Sequence, residues 1–288
     1  MKILVGYDGS EHADEALRFA RSLAAIEGAE IHVVAALDYA PPPIAVDAYE
    51  RAVHERFEEV FARAASVLDG APFEPRPVRD SSPARALNER AEHEGADLIV
   101  LGSTHHGPLG RVYPGSVAER LLNGAPCPVV VVPRGYSPDR PGLGLVGVGY
   151  DGSPESRAAL AAAKRFAKSL DAELELIGVV RPLAPASPVV AAGGAAQVEA
   201  ALRERLREAL TEAAEEIDCE FEVTTALLEG DPAAALAARG VELDLLVLGS
   251  RGYGPIRRAL LGSVSAAVAR TAPCPVLIVP REWDGGVI

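Results

Sequence analysis

Two short turns carry the residue types that could do chemistry. The string "VGYDGS" runs from Val5 to Ser10 and recurs from Val148 to Ser153, so Asp8 and Asp151 each follow an apolar run and precede Gly-Ser. A second turn reads "GSRGYGPIRRALLGSVS" from Gly249 to Ser265. Two residues separate Gly249 from Gly252, nine separate Gly252 from Gly262, and Ser263 follows at once. Glycines let the backbone adopt positive φ and approach a ligand closely, and N–H groups exposed in such a turn form an anion nest. Gly262-Ser263 then opens a helix, whose first turn adds free donors and the positive end of the helix dipole. The Ser263 hydroxyl can hydrogen-bond a phosphate oxygen, and Arg251 can add a charge-assisted contact. Asp151 suits a ribose hydroxyl or a metal bridging phosphates. Read singly, each turn is also an ordinary capped strand-to-helix connection. Their conjunction in one unit is what points to phosphate.

The elements that must position these turns occur twice. "ADLIVLGS" (Ala96–Ser103) answers "LDLLVLGS" (Leu243–Ser250), and "GSVAERLLNGAPCPVVVVP" answers "GSVSAAVARTAPCPVLIVP". The offset is 143 residues at Asp8 and 147 in these later strings, so the second copy holds four more residues, assigned to the loop around Pro182 to Gly194. Each copy opens with a buried strand (3–7; 145–150) and then a helix with a three-four apolar stripe. The stripes are Ala13, Ala16, Leu17, Ala20 and Leu23, and Leu160, Ala163, Phe166, Ala167 and Leu170. A second strand (30–37; 173–180), a charged helix (47–68; 196–217) and a third strand (73–79; 220–228) follow. The next helix starts at Pro83 or Pro232, with Ser82 and Asp231 as caps. A fourth strand, a Gly-rich turn, a helix and a fifth strand (129–132; 276–279) close each copy. Strands alternating with helices imply an α/β fold whose parallel sheet is covered on both faces. Ligands in such sheets bind beyond the C-terminal strand ends, where strand order reverses. The domains are read as 1–140 and 141–288, divided in "RGYSPDRPGLG", where Pro, Gly and charge replace apolar periodicity.

Bulk properties exclude several classes. The 288 residues carry a formal net charge of −13, are 49% apolar and 24% charged. That balance suits a soluble globular protein and argues against nucleic acid as a partner, since phosphate neutralisation needs clustered Lys and Arg. No secretory leader and no membrane span are read, and three cysteines make no disulfide framework, so a cytoplasmic setting is expected. Cys127 and Cys274, in matching "APCPV" strings, are read as packing residues. All six histidines lie in the first half. No metal centre is expected at His105-His106, because adjacent residues rarely aim at one ion and no third ligand stands at a recognisable spacing.

The pattern Gly249-x2-Gly252-x9-Gly262-Ser263, with Asp151 after the first strand and "APCPVLIVP" as the last, resembles the universal stress protein family across essentially the whole chain, as two tandem domains. The resemblance implies two Rossmann-like (adenine nucleotide alpha hydrolase-like) domains, each with a five-stranded parallel sheet. It implies ATP, with or without Mg, in the second domain. Asp151 would lie near the ribose, Val179 or its neighbour would hold adenine through backbone, and Gly249, Arg251, Gly252, Gly262, Ser263, Val264 and Ser265 would surround the phosphates. In the first domain the matching positions are Asp8, Ala36, Gly102, Thr104, His105, Gly115, Ser116 and Val117. That domain departs from the pattern, because its second glycine position is His105. If positive φ is required there, His costs about 1 kcal/mol or more. Either Gly107 and Gly110 supply an altered loop, with His105 or His106 touching the phosphates, or the first site is weak or empty; the first arrangement is expected, because everything else in that half is retained.

Three functions fit this reading: a nucleotide-dependent regulator of the stress response, a slow ATPase or phosphotransferase, and a nucleotide-free interaction module. The first is adopted. Efficient phosphoryl transfer needs a positioned metal, electrophilic side chains and a nucleophile-orienting group. No Gly-x4-Gly-Lys-Ser/Thr loop is present and neither Gly-rich turn contains Lys. A dehydrogenase is set aside, since its Gly-x-Gly-x-x-Gly turn should follow the first strand. Finally, "VVVVP" and "VLIVP" are apolar edges that need cover. Their pairing would make an intramolecular pseudo-dimer, as single-domain relatives commonly dimerise through this strand, and a homodimer of whole chains is a further expectation.

Overall fold

Apolar runs of four to eight residues bounded by Gly, Asp or Pro are long enough for buried strands and too short for helices. Such runs form the inner strands of one sheet, which has ten strands among the described residues, while its outer strands are more polar. The computed structural model describes residues 1–24, 28–40, 45–103, 116–122, 124–137, 143–184, 194–250, 262–280 and 283. The first half contains β1 (Lys2–Gly6), α1 (Glu11–Leu23), β2 (Glu30–Leu37), α2 (Val46–Leu68), β3 (Glu74–Arg79), α3 (Pro83–Glu94), β4 (Leu98–Gly102), α4 (Ser116–Leu122) and β5 (Val129–Val132). The second contains β6 (Leu145–Gly149), α5 (Pro154–Leu170), β7 (Glu173–Val180), α6 (Ala195–Glu215), β8 (Val223–Glu229), α7 (Pro232–Arg239), β9 (Leu245–Gly249), α8 (Ser263–Thr271) and β10 (Val276–Val279).

The strand order is β3-β2-β1-β4-β5-β10-β9-β6-β7-β8. Pairing is parallel within each half and antiparallel at the centre, where Val276 faces Val131 and Ile278 faces Val129. All four valines of β5 are buried. Left at an edge, that run would template aggregation; β10 covers it and turns two five-stranded sheets into one. The outer strand β3 carries Pro75 and Pro77, residues that sheets accept at edges.

Successive strand residues point to opposite faces, and the two cores follow that alternation. Ile3 and Val5 join a core with Phe19 of α1, Phe57 of α2 and Phe166 of α5. Leu4 joins the opposite core with Leu87 of α3, Leu121 of α4 and Val268 of α8. Helices therefore cover both faces. No helix among the described residues is long and apolar enough to cross a membrane.

Several local expectations are corrected. Tyr7 and Tyr150 lie just beyond their strands, and β8 begins at Val223 rather than near residue 220. The stripe of α1 is buried as expected. In α5, Leu160 and Leu170 only pack against the core edge, while Ser156, Ala159 and Ala162 are buried instead. Asp231 caps α7 through Ala233 and Ala234 N–H. Ser82 makes no side-chain cap on α3; its own N–H donates to Asp80 Oδ1 at 2.7 Å, and Asp80 is also paired with Arg85.

Candidate functional site

In each half the chain builds outward from its first strand to its third, then returns to lay its fourth on the other side of the first. The helices after β1 and β6 pack on one face of the sheet and those after β4 and β9 on the other, and a crevice opens between the C-terminal ends of each such strand pair. The first crevice is lined by Asp8, Ala13, Ala36, Leu87, Leu101 and Gly102, among others. The second is lined by Asp151, Ser156, Val179, Leu236, Leu248 and Gly249, again among others.

The Asp-Gly-Ser turn has a local structural job in both halves. Asp8 Oδ1 accepts from Ser10 N–H at 2.9 Å, and Asp151 Oδ1 accepts from Ser153 N–H at 3.0 Å. Such side-chain turns are what Asp does before a helix. Gly9 and Gly152 adopt φ of 82° and 78°, the left-handed region that favours glycine. Ser10 and Ser153 then cap α1 and α5, accepting from Ala13 and Ser156 N–H. Both aspartates stay exposed at the crevice mouth.

Gly102 and Gly249 answer a different demand. A Cβ on Gly102 would lie 2.0 Å from the His12 carbonyl oxygen, and one on Gly249 would lie 2.4 Å from that of Glu155. The first turn of α1 or α5 rests directly on the end of β4 or β9, so these glycines permit helix–strand contact whatever the crevice holds. Just beyond them, Ser103 and Ser250 are each 1% exposed, and their hydroxyls have no partner among the described residues.

At the second crevice α8 opens at Ser263 behind Gly262, which has no side chain to cap it, so its first N–H groups lack intrahelical acceptors and have no side-chain cap among the described residues. Gly262, Val264 and Ser265 all line the crevice. Ser265 Oγ donates to the Gly249 carbonyl at 2.8 Å. Its one proton is committed there, so the hydroxyl pins the start of α8 to the end of β9.

The profile of the Universal stress protein family matches residues 1–133 and 145–280. This chain belongs to the universal stress protein family. It is a tandem member: a universal stress protein of Mycolicibacterium smegmatis is 31% identical over 297 residues, spanning 97% of both chains. One of Mycobacterium tuberculosis is 32% identical over 296 residues with the same spans. Among solved structures, a universal stress protein from Archaeoglobus fulgidus superposes with a TM-score of 0.70 at 25% identity, covering 97% of this chain and 98% of the other.

Against the expectations for this universal stress protein, the second crevice gathers Asp151, Val179, Gly249, Gly262, Val264 and Ser265, with Ser263 opening α8 between them. The first gathers Asp8, Ala36, Gly102 and Val117, with Ser116 opening α4. Arg251, Gly252, Thr104, His105 and Gly115 lie outside the described residues. Ser156 and the leucine pair Leu236 and Leu248 were missed. Ser156 stands on the apolar stripe where the first copy has Ala13, and that substitution was the available signal. The described residues contain no group of three His, Cys, Asp or Glu able to hold a metal.

Beside the first crevice lies a polar network that periodicity could not disclose. Tyr7 Oη donates to Asp14 Oδ1 at 2.7 Å, and Arg63 Nη2 donates to Asp14 Oδ2 at 2.6 Å. Burial works against the Asp14 carboxylate, but the hydrogen bonds from Arg63 and Tyr7 outweigh it and hold its pKa below the usual value. Burial and the Asp14 carboxylate push the Tyr7 phenol well above its usual range. This network braces α1 against α2, and so holds the Asp-Gly-Ser turn from behind.

Proposed function

We propose that this universal stress protein binds an adenine nucleotide at a strand-end crevice and works as a nucleotide-dependent regulator. The observation that carries this reading is the second crevice, which encloses about 370 Å³, within the 300–1,000 Å³ span of ligand pockets. Its wall suits the group chemically. Asp151 at the mouth is an acceptor for a ribose hydroxyl, Ile177 and Val179 offer an apolar surface for a base, and the start of α8, behind Gly262, offers N–H donors to phosphate oxygens. When bound, the nucleotide supplies negative charge and hydrogen-bond acceptors at that helix end. The residues of the chain bind and orient it: Gly249 lets α5 sit close, Ser265 fixes the helix, and Val264 and Ser265 present backbone donors.

Regulation is preferred to dedicated catalysis because the described residues put no lysine in the crevice wall, where phosphoryl-transfer sites use cations and positioned metal. We put the unit boundary at Arg140, between the two family-matched spans, and read the β5–β10 junction as an intramolecular pseudo-dimer contact. Free, mostly buried thiols accord with a reducing cytoplasmic setting. The test is thermal unfolding of nucleotide-stripped protein with ATP, ADP or AMP. A ligand at a hundred times its Kd stabilises by about 2.7 kcal/mol, so the midpoint should rise with one or more of them. Unchanged midpoints with all three would refute the reading.

A further inference from the structure

The two crevices share their turn and strand order, yet they differ in size and wall chemistry. The second encloses about 370 Å³ and the first about 100 Å³. Only the second reaches the range in which ligand pockets fall. The leucines over the first-strand glycine account for part of this. Leu101 Cδ2 and Leu87 Cδ1 lie 2.5 and 2.9 Å from a Cβ built on Gly6. In the second half Leu248 keeps its place, at 2.6 Å from the equivalent point on Gly149, but Leu236 stands back at 3.6 Å. One wall has moved towards the strand end in the first half.

The polar groups differ as well. Ser156 and Ser265 line the second crevice, and Ala13 and Ala118 hold the matching places in the first. Ser265 ties α8 to Gly249; Ala118 has no hydroxyl with which to tie α4 to Gly102. The departures all run in one direction.

Resting on the nucleotide reading above, we propose that the halves divide the work: the second crevice takes the nucleotide, one per chain, and the first is closed to it. The first half then serves as the fixed partner, bracing β10 through β5. Of the two arrangements open at the His105 position, this selects the one without bound nucleotide.

The test is equilibrium dialysis of the nucleotide-stripped full chain against radiolabelled ATP, with photolabelling by 8-azido-ATP and peptide mapping. The expected result is a plateau at one nucleotide per chain, with label confined to peptides from residues 145–280. A plateau at two, or label in residues 1–133, overturns the division while leaving nucleotide binding intact. No binding at any concentration overturns the nucleotide reading itself and this inference with it. Asp151→Ala should lower the affinity at least tenfold, and an unchanged affinity in that variant also counts against the second crevice.

Discussion

Gly249 was read from sequence as a glycine that lets a phosphate approach, but its surroundings make it a packing glycine first, and Gly249→Ala separates the two roles. A Cβ at this position would lie 2.4 Å from the Glu155 carbonyl oxygen and 2.6 Å from the carbon, about 1 Å inside ordinary contact. The obstructing atoms are backbone in the first turn of α5, so no side-chain rotation relieves them. Either α5 lifts from the end of β9 or the strand end bends. Overpacking of this kind costs about 1–3 kcal/mol, and a rigid obstacle puts the expected loss near the top of that range. For a chain of this size the loss lowers the midpoint by about 2–4 °C per kcal/mol, so ligand-free Gly249→Ala should melt about 5 °C or more below the parent. Gly124→Ala is the control, because nothing lies within 4 Å of its added Cβ and its φ is not positive; it should melt with the parent. The assay is thermal unfolding without nucleotide, followed by ATP binding. If Gly249→Ala also melts with the parent and loses only nucleotide, the packing argument is wrong.

Other outcomes follow from the polar pairs and thiols. Arg239 Nε and Nη2 each donate to the Glu175 carboxylate at 2.8 Å, and Glu175 is buried. Arg239→Ala strands that charge and should cost about 3–5 kcal/mol by urea titration, whereas Leu at both positions should recover most of it. The Asp14 and Glu94 carboxylates are held below their usual pKa. A lowered folded pKa gives stability that is present above the unfolded value, about 4, and is lost as pH falls through the folded value. Urea midpoints should therefore drop below about pH 4, and Asp14→Asn should flatten that acid limb. Burial pushes the Cys127 and Cys274 thiols up to about 12, so at neutral pH iodoacetamide should label Cys219 alone in the folded chain and all three thiols in denaturant.

The inner strands and their order along the chain were legible because a buried parallel strand is a short apolar run whose ends are marked by Gly, Asp or Pro. β2 and β7 start and stop where the sequence suggests, since charged Glu30 and Glu173 open apolar runs. The stripe of α5 was read less well. Its alanines face the core across a close helix–sheet contact, and alanine gives too weak a periodic signal to outweigh Leu160 and Leu170. Ser82 misled because a cap is decided by where its hydroxyl can reach. Asp80 had already taken the Ser82 N–H and turned the chain.

The Asp-Gly-Ser repeat, the Gly-Ser helix start and the apolar last strands are properties of neighbouring residues, and local backbone sterics gives them a meaning that sequence alone can disclose. From them came the two tandem units, the covered parallel sheet and the strand ends at which to look for a site. Tertiary structure decided the rest. It set the antiparallel seam between β5 and β10, the backbone of α5 lying over Gly249, the bracing of Asp14 by Arg63 from another helix, and the unequal volumes of two crevices built from nearly the same string. Each of these is a distance between atoms far apart in the chain. Such distances are set by how whole elements pack, and a shift of one ångström leaves no mark on residue order while it opens or closes a site.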